Sequence, residues 1–319
     1  MIIGRTGIGK SYVTRESCKE IAKENNLIFT EDESHINDPK YFILIDRRLS
    51  MMEASDIQGI PFVFAVIEDK QNDNYLSTIP IQNINMLATE RNRYNVLGYK
   101  TLWVKPSFLP LKGNGMIFLD EITLAPPLLQ SCAYSLIYDR KVADYTLPDN
   151  YLVMGASNVE EDQAYTHTMA GPLRNRFAWY KLAIPDVEEY TMWATQSKPD
   201  EYLPIDPRII AYLNKGGKKN LFNFDRNSKD KAFPTPRSWW YVSKLIKGIK
   251  NNRMLRILVS GAIGSGEAHK FLAFLNLEHK LKPISEYFKN PETIELPEDM
   301  SLKYFLIGGI TDYYSRNLN

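Results

Sequence analysis

The sequence predicts an α/β protein in which a parallel sheet flanked by helices precedes a smaller, all-helical region. Three observations predict it. A glycine-rich octapeptide, Gly4-Arg5-Thr6-Gly7-Ile8-Gly9-Lys10-Ser11, lies between an apolar start at Ile2–Ile3 and a helical run from Tyr12 to Asn25. Short apolar runs bounded by polar residues, YFILID (41–46), MIFLD (116–120) and YLVMGA (151–156), read as strands covered on both faces. Beyond Pro185 the pattern turns helical and stays so. Strands alternating with helices, followed by helices alone, imply a parallel sheet with a helical lid.

Taken in order, the first strand is expected to be very short, because only three residues precede Gly4 where about five are usual. The other reading of that short start is a natural chain that begins further upstream. Tyr41–Asp46 is a buried strand. Residues 56–114 read as irregular, punctuated by Gly59-Ile60-Pro61, Pro106, Pro110 and Gly113, with a short helix within Pro80–Arg93. Met116–Asp120 is the next strand. A helix over Pro126–Tyr138 carries its two prolines in the first turn, where no N–H is missed. Asp139–Leu147 alternates as a small hairpin does. Strands over Tyr151–Ala156 and Phe177–Ile184 follow, and then helices over 186–198, 206–215, 235–251, 253–263 and 265–277. The composition shift around 185–205 divides the chain into a core, 1–185, with an insert at 56–110, and a lid with C-terminal region, 186–319.

Bulk properties exclude several classes. A chain of 319 residues has room for one large core and a second domain. Lys and Arg number 39 against 38 Asp and Glu, so there is no global attraction to nucleic acid or anionic membranes. No run approaches the roughly 18 apolar residues of a membrane span, and the start has no signal-peptide pattern. Cys18 and Cys132 match no metal spacing and read as reduced thiols of a cytoplasmic protein. The four histidines, His35, His167, His269 and His279, have no ligand spacing either.

The octapeptide fits G-x-x-x-x-G-K-[ST]. Gly4, Gly7 and Gly9 let backbone N–H groups turn inward around the α and β phosphates of a nucleotide, with a helix N-terminus behind them. Lys10 would reach the β and γ oxygens, and the Ser11 hydroxyl would ligate Mg²⁺. A second cluster, Gly261-Ala262-Ile263-Gly264-Ser265-Gly266, has no strand before it and reads as close helix packing.

Met116–Glu121 is an apolar strand ending in two carboxylates, at the sheet edge where ligands of open α/β sheets collect. Asp120 would complete the Mg²⁺ shell, and Glu121 would take a proton from the attacking water. Asn158, at the tip of the strand that begins at Tyr151, offers an amide to that water or to the γ-phosphate. That strand is expected between the N-terminal strand and 116–120. Arg174, Arg176 and Arg237 carry planar donors that match oxygen pairs on phosphates.

The order of these motifs resembles that of the AAA+ ATPases, specifically the MoxR-like branch with a pre-sensor-1 hairpin. The resemblance is carried by GRTGIGKS (4–11), IDRRLSMMEASDIQGIP (45–61), GMIFLDEITLAPP (115–127), DRKVADYTLPDN (139–150), GASN (155–158), GPLRNRF (171–177) and PTPRSW (234–239). Gln58 departs from it, standing where the family pattern has Arg. The resemblance implies ATP and Mg²⁺ as cofactors and Asn158 as sensor 1. Arg176 becomes the arginine finger, with Arg174 as second choice, and Arg237 becomes sensor 2. A finger supplied in trans implies a homo-hexamer. The branch also implies remodelling or activation of a protein partner, such as one bearing a von Willebrand factor A-type domain. Two other readings stand beside it: a nucleic-acid motor or McrB-like restriction component, and a nucleotide-dependent scaffold. No basic block or aromatic platform for single strands accompanies the motifs.

Overall fold

The computed structural model describes residues 1–69, 75–82, 93–159, 169, 174–196, 205–225, 227–228, 230–249, 251–289, 291–292 and 294–317. The chain divides into two compact units. One is built mainly from Ser11–Asn158, with Met1–Ile3; the other is built mainly from Lys181–Asn319 and takes in Gly4–Lys10.

The strands in chain order are β1 (Ile2–Gly4), β2 (Ile28–Thr30), β3 (Tyr41–Arg48), β4 (Ile60–Asp69), β5 (Tyr75–Pro80), β6 (Tyr94–Val104), β7 (Asn114–Asp120), β8 (Lys141–Val142), β9 (Tyr145–Thr146), β10 (Tyr151–Asn158) and β11 (Tyr180–Lys181). Six of them form one sheet in the order β11-β1-β10-β7-β3-β2. The pairs β10–β7, β3–β7 and β2–β3 are parallel. β10 thus stands between β1 and β7, as expected, and β7 is one strand removed from β1. The helices of this unit are α1 (Lys10–Glu24), α2 (Ala54–Gln58) and α3 (Pro127–Tyr134).

Successive side chains of a strand point to opposite faces, and here both faces are covered. Phe42 and Leu44 of β3 and Met116 and Phe118 of β7 pack with Cys18 and Ala22 of α1. Ile43, Ile45, Ile117 and Leu119 point the other way, into a core shared with Leu129, Cys132 and Leu136. Burial raises the Cys18 thiol to about 12, so it stays protonated and inert.

Three expectations are corrected. Residues 56–114 are not irregular: they contain β4, β5 and β6, an antiparallel sheet in the order β5-β4-β6. Gly59 launches β4 at a φ of 84°, where a Cβ would lie 2.1 Å from the Val104 carbonyl oxygen at the end of β6. No residue with a side chain fits that approach. The apolar run Ile60–Ile67 does mark β4, although Gly59 and Pro61 punctuate its start, whereas β6 is largely exposed and shows no such run. The helix expected within Pro80–Arg93 lies largely outside the described residues, and the part that is described continues as strand at Tyr94. The strand expected over Phe177–Ile184 contracts to β11. The helix expected over Pro126–Tyr138 ends at Tyr134 and continues as a π turn, Ser135–Asp139, into the β8–β9 hairpin.

In the second unit the helices are Val187–Thr195, Pro207–Gly216, Lys218–Leu221, Pro236–Gly248, Asn252–Ile263, Ser265–Leu275, Ile284–Lys289 and Met300–Asn317. Local chemistry sets their starts. Asp186 and Glu189 form a capping box, as do Thr235 and Ser238, and Asn251 caps Met254. The core centres on Tyr212, whose ring meets Trp239, Phe271 and Phe274 and whose hydroxyl donates to Glu267 Oε1 at 2.7 Å. Of the aromatic run 239–241, Trp239 is fully buried, whereas Tyr241 is half exposed.

Candidate nucleotide site

Gly4–Lys10 joins β1 to α1. Gly7 and Gly9 have φ of 72° and 103°, the region that turns successive N–H groups into one concavity. The Lys10 ammonium is buried and donates to the carbonyls of Gly4 and Arg5, each at 3.1 Å. It is folded back on the carbonyls of its own loop. The loop is also fixed from outside. The Arg237 N–H donates to the Gly7 carbonyl at 3.1 Å, and a Cβ on Gly7 would lie 2.8 Å from Thr235 Oγ1. The Arg5 guanidinium stacks over the rings of Phe222 and Phe224. These contacts explain why the loop belongs with the helical unit. Arg237 itself is exposed at the head of the helix Pro236–Gly248.

In the first unit the Ser11 hydroxyl donates to Asp120 Oδ2 at 3.2 Å, across 109 residues of sequence. Asp120 ends β7, and its other oxygen accepts the Glu121 N–H at 2.8 Å. Glu121 takes a left-handed conformation, φ 58° and ψ 35°, which turns its side chain off the line of the strand. Its carboxylate accepts a hydrogen bond from the hydroxyl of Ser50, in the turn after β3. Asp46, near the end of β3, completes an acidic cluster. Partial burial and, next, the Asp120 carboxylate hold its pKa above the usual carboxylate range.

Asn158 is the last residue of β10 and is half-buried. Before it, the Ser157 hydroxyl is hydrogen-bonded to that of Thr123, tying the end of β10 to the turn after β7. Arg176 is not part of the acidic cluster. It is exposed and lies over the rings of Tyr134 and Tyr138, 4.8 and 4.2 Å from their centroids. The two tyrosines are themselves stacked. Arg174 is exposed, and its carbonyl accepts from the Trp179 indole at 2.7 Å. Gly171–Leu173, part of the motif that carries both arginines, lie outside the described residues. Gln58, the departure from the family pattern, donates to Cys132 Sγ at 3.0 Å.

The structure therefore brings together Ser11, Asp120 and Glu121, and separately Gly4, Gly7, Lys10 and the main chain of Arg237. Sequence reasoning missed Ser50, Asp46 and the Thr123–Ser157 pair. Their signal is three-dimensional: each depends on which strand ends are neighbours. A hydroxyl beside a carboxylate is a hard-oxygen donor set, which suits Mg²⁺. Gly7 and Gly9 at positive φ turn loop N–H groups inward, a nest that suits phosphate oxygens. The residues fit both groups.

A sheet of this strand order, a glycine-rich loop between its first strand and first helix, and a carboxylate pair at the end of β7 give the α/β architecture of phosphate-loop nucleotide-binding proteins. No protein-family model matches the sequence, and no curated protein matches it. Solved structures do match. The chain is similar to a P216G mutant of RuvB from Thermotoga maritima, with 13% identity, 91% of this chain and 68% of that chain covered, and a TM-score of 0.37. It is similar to the RuvB Holliday junction branch migration motor of the same organism, with 14% identity, 91% and 66% covered, and a TM-score of 0.35. It is also similar to NtrX from Brucella abortus, with 13% identity, 86% and 63% covered, and a TM-score of 0.33. The chain thus spans about two thirds of the length of these proteins. Identities this low say nothing about residue roles, and the site is defined by its own geometry. Among the described residues, no helix is long and apolar enough to cross a membrane.

Proposed function

We propose that this chain is an AAA+ ATPase of the MoxR-like type that binds ATP with Mg²⁺, hydrolyses it, and uses the cycle to remodel or activate a protein partner. One observation carries the nucleotide reading: the Ser11 hydroxyl and the Asp120 carboxylate, on separate elements, meet at 3.2 Å. A structural role alone asks for no such pair beside a glycine loop. Bound Mg²⁺ supplies a positive charge that offsets charge on the β and γ phosphates.

The chain's own residues do the rest. Lys10 leaves the Gly4 and Arg5 carbonyls for the phosphate oxygens. Backbone N–H groups of the loop hold the phosphates in place. Ser11 and Asp120 hold the metal shell. Glu121, once released by Ser50, takes the proton of the attacking water, and Asn158 orients that water. Arg176 comes from a neighbouring copy and stabilises charge on the γ-phosphoryl group, which makes the working form a ring, here a homo-hexamer. Its aromatic seat is worth about 0.5–1 kcal/mol at an exposed site, weak enough to release the guanidinium to a triphosphate. Arg237 senses the nucleotide from the helical unit. A protein with a von Willebrand factor A-type domain is the partner this branch favours.

The test is steady-state ATP hydrolysis and nucleotide binding by Glu121→Gln and Lys10→Ala. Glu121→Gln is expected to bind ATP like the parent and to lose turnover, whereas Lys10→Ala loses binding. Normal turnover in Glu121→Gln removes the base assignment. Assays with DNA and with candidate protein partners decide what the cycle acts on: stimulation by DNA alone refutes the protein-partner reading.

A further inference from the structure

The helix Asn252–Ile263 is apolar on two faces. Val259 and Ile263 are buried in the core of the helical unit. On the outside Met254, Ile257 and Leu258 are 50%, 60% and 37% exposed. Their spacing, continued by Gly261, makes one stripe along the helix. Beside this helix a groove of about 550 Å³ opens towards the ends of Pro236–Gly248 and Ser265–Leu275. Its floor is Ile246, Leu255 and Leu272; its rim carries Arg253, Arg256 and His269.

Among the described residues, no carboxylate lines this groove. Arg208, at one end, is tied to Asp206. Arg256 donates to the ring of His269 at 3.5 Å, and neither Arg253 nor Arg256 has an acidic partner among the described residues. A groove of this volume takes a short segment, not a domain. An apolar floor under a cationic rim selects an apolar side chain flanked by carboxylates. A phosphodiester backbone would satisfy the rim and leave the floor uncovered.

The chain carries such a segment. Residues 291–299 contain Glu292, Glu295, Glu298 and Asp299 and no Lys or Arg. Leu296 is 66% exposed between Glu295 and Glu298, and those two carboxylates have no cationic partner among the described residues. Pro297 restricts the backbone beside Leu296, which lowers the entropy lost on docking. None of the described residues of this segment lines the groove of its own chain.

We propose that the groove takes the acidic segment 291–299 of a second copy of this chain, with Leu296 on the apolar floor and Glu295 and Glu298 against Arg253 and Arg256. Groove and segment are different patches, so the contact is head-to-tail and extends to a ring or a filament. It is independent of the nucleotide reading and is measured without nucleotide.

The test uses the full chain and a fluorescently labelled peptide of residues 290–301. The peptide is expected to bind the parent, with affinity falling as salt rises, and to lose binding to the double variant R253E and R256E. A peptide carrying E295K and E298K is expected to bind that double variant and not the parent. The corresponding full-chain variants, E295K with E298K and R253E with R256E, when mixed, should sediment as a larger species than either alone. The idea is overturned if the peptide does not bind the parent, if reversing both charges fails to restore binding, or if the mixture sediments as its components do. A DNA duplex that binds the parent through Arg253 and Arg256 while the peptide does not would also overturn it.

Discussion

Ser50→Ala isolates the contact that holds Glu121. In the structure the Ser50 hydroxyl donates to the Glu121 carboxylate, while the Glu121 backbone sits at φ 58°, a conformation that costs a residue with a Cβ about 1 kcal/mol. A hydrogen bond to a charged group contributes roughly 1.5–3 kcal/mol, and the lower end or less applies here because Ser50 is exposed. The backbone cost, which Ser50→Ala leaves in place, does not enter, and the side-chain contact, discounted for that exposure, holds Glu121 by about 1 kcal/mol. If Glu121 must leave Ser50 before it takes a proton from water, that energy adds to the barrier. Removing it accelerates turnover about fivefold. The assay is kcat for ATP at saturation, with the nucleotide Kd measured separately by fluorescence. The expected pattern is a raised kcat with an unchanged Kd. A kcat that falls or stays level would show that Ser50 supports Glu121 or is irrelevant to it, and would refute the reasoning.

Two further outcomes follow from the same structure. Asp46 has its folded pKa raised, so the folded state keeps a proton that the unfolded chain has already lost, and stability falls as pH rises through that window. Asp46→Asn should therefore gain stability relative to the parent as pH rises through and above the ordinary carboxylate range without Mg²⁺, by thermal melts. Solvent reaches the Asp46 tip, so the gain is modest, and a gap that narrows with pH contradicts the sign. Trp239→Ala empties the centre of the helical unit, where the ring meets Tyr212 and Phe271 and its N–H donates to the Asn220 carbonyl. The cost should be about 3–5 kcal/mol in denaturant unfolding. A loss under about 1 kcal/mol would mean that the helical unit does not depend on this core.

The central strands of the parallel sheet, β3, β7 and β10, were legible because they are largely buried, whereas the edge strand β2, with Ile28 exposed, was not. Burial on both sides demands unbroken apolar runs, and YFILID, MIFLD and YLVMGA are such runs. The β4–β6 sheet is harder to read although Ile60–Ile67 is such a run, because Pro61 punctuates it and β6 is exposed. The sheet is held by pairing between residues far apart, such as Ile60 with Val104, and its many exposed apolar residues leave no period to read. The last two helices, Ile284–Lys289 and Met300–Asn317, are not legible in the sequence either. Met300–Asn317 packs on Pro207–Gly216, with Gly308 against Pro207 and Ala211, a contact no local pattern reports.

By itself, the order of residues determined the glycine loop, the carboxylate pair and the helical caps, since each is a short string whose chemistry is local. Only the tertiary structure decided that Ser11 meets Asp120, that Ser50 holds Glu121, that Arg176 lies on Tyr134 and Tyr138, and that the loop leans on Thr235 and Arg237. The reason is the crossover topology of the sheet. It places the ends of β3, β7 and β10 side by side, and neighbours in space across a hundred residues leave no trace in a one-dimensional pattern.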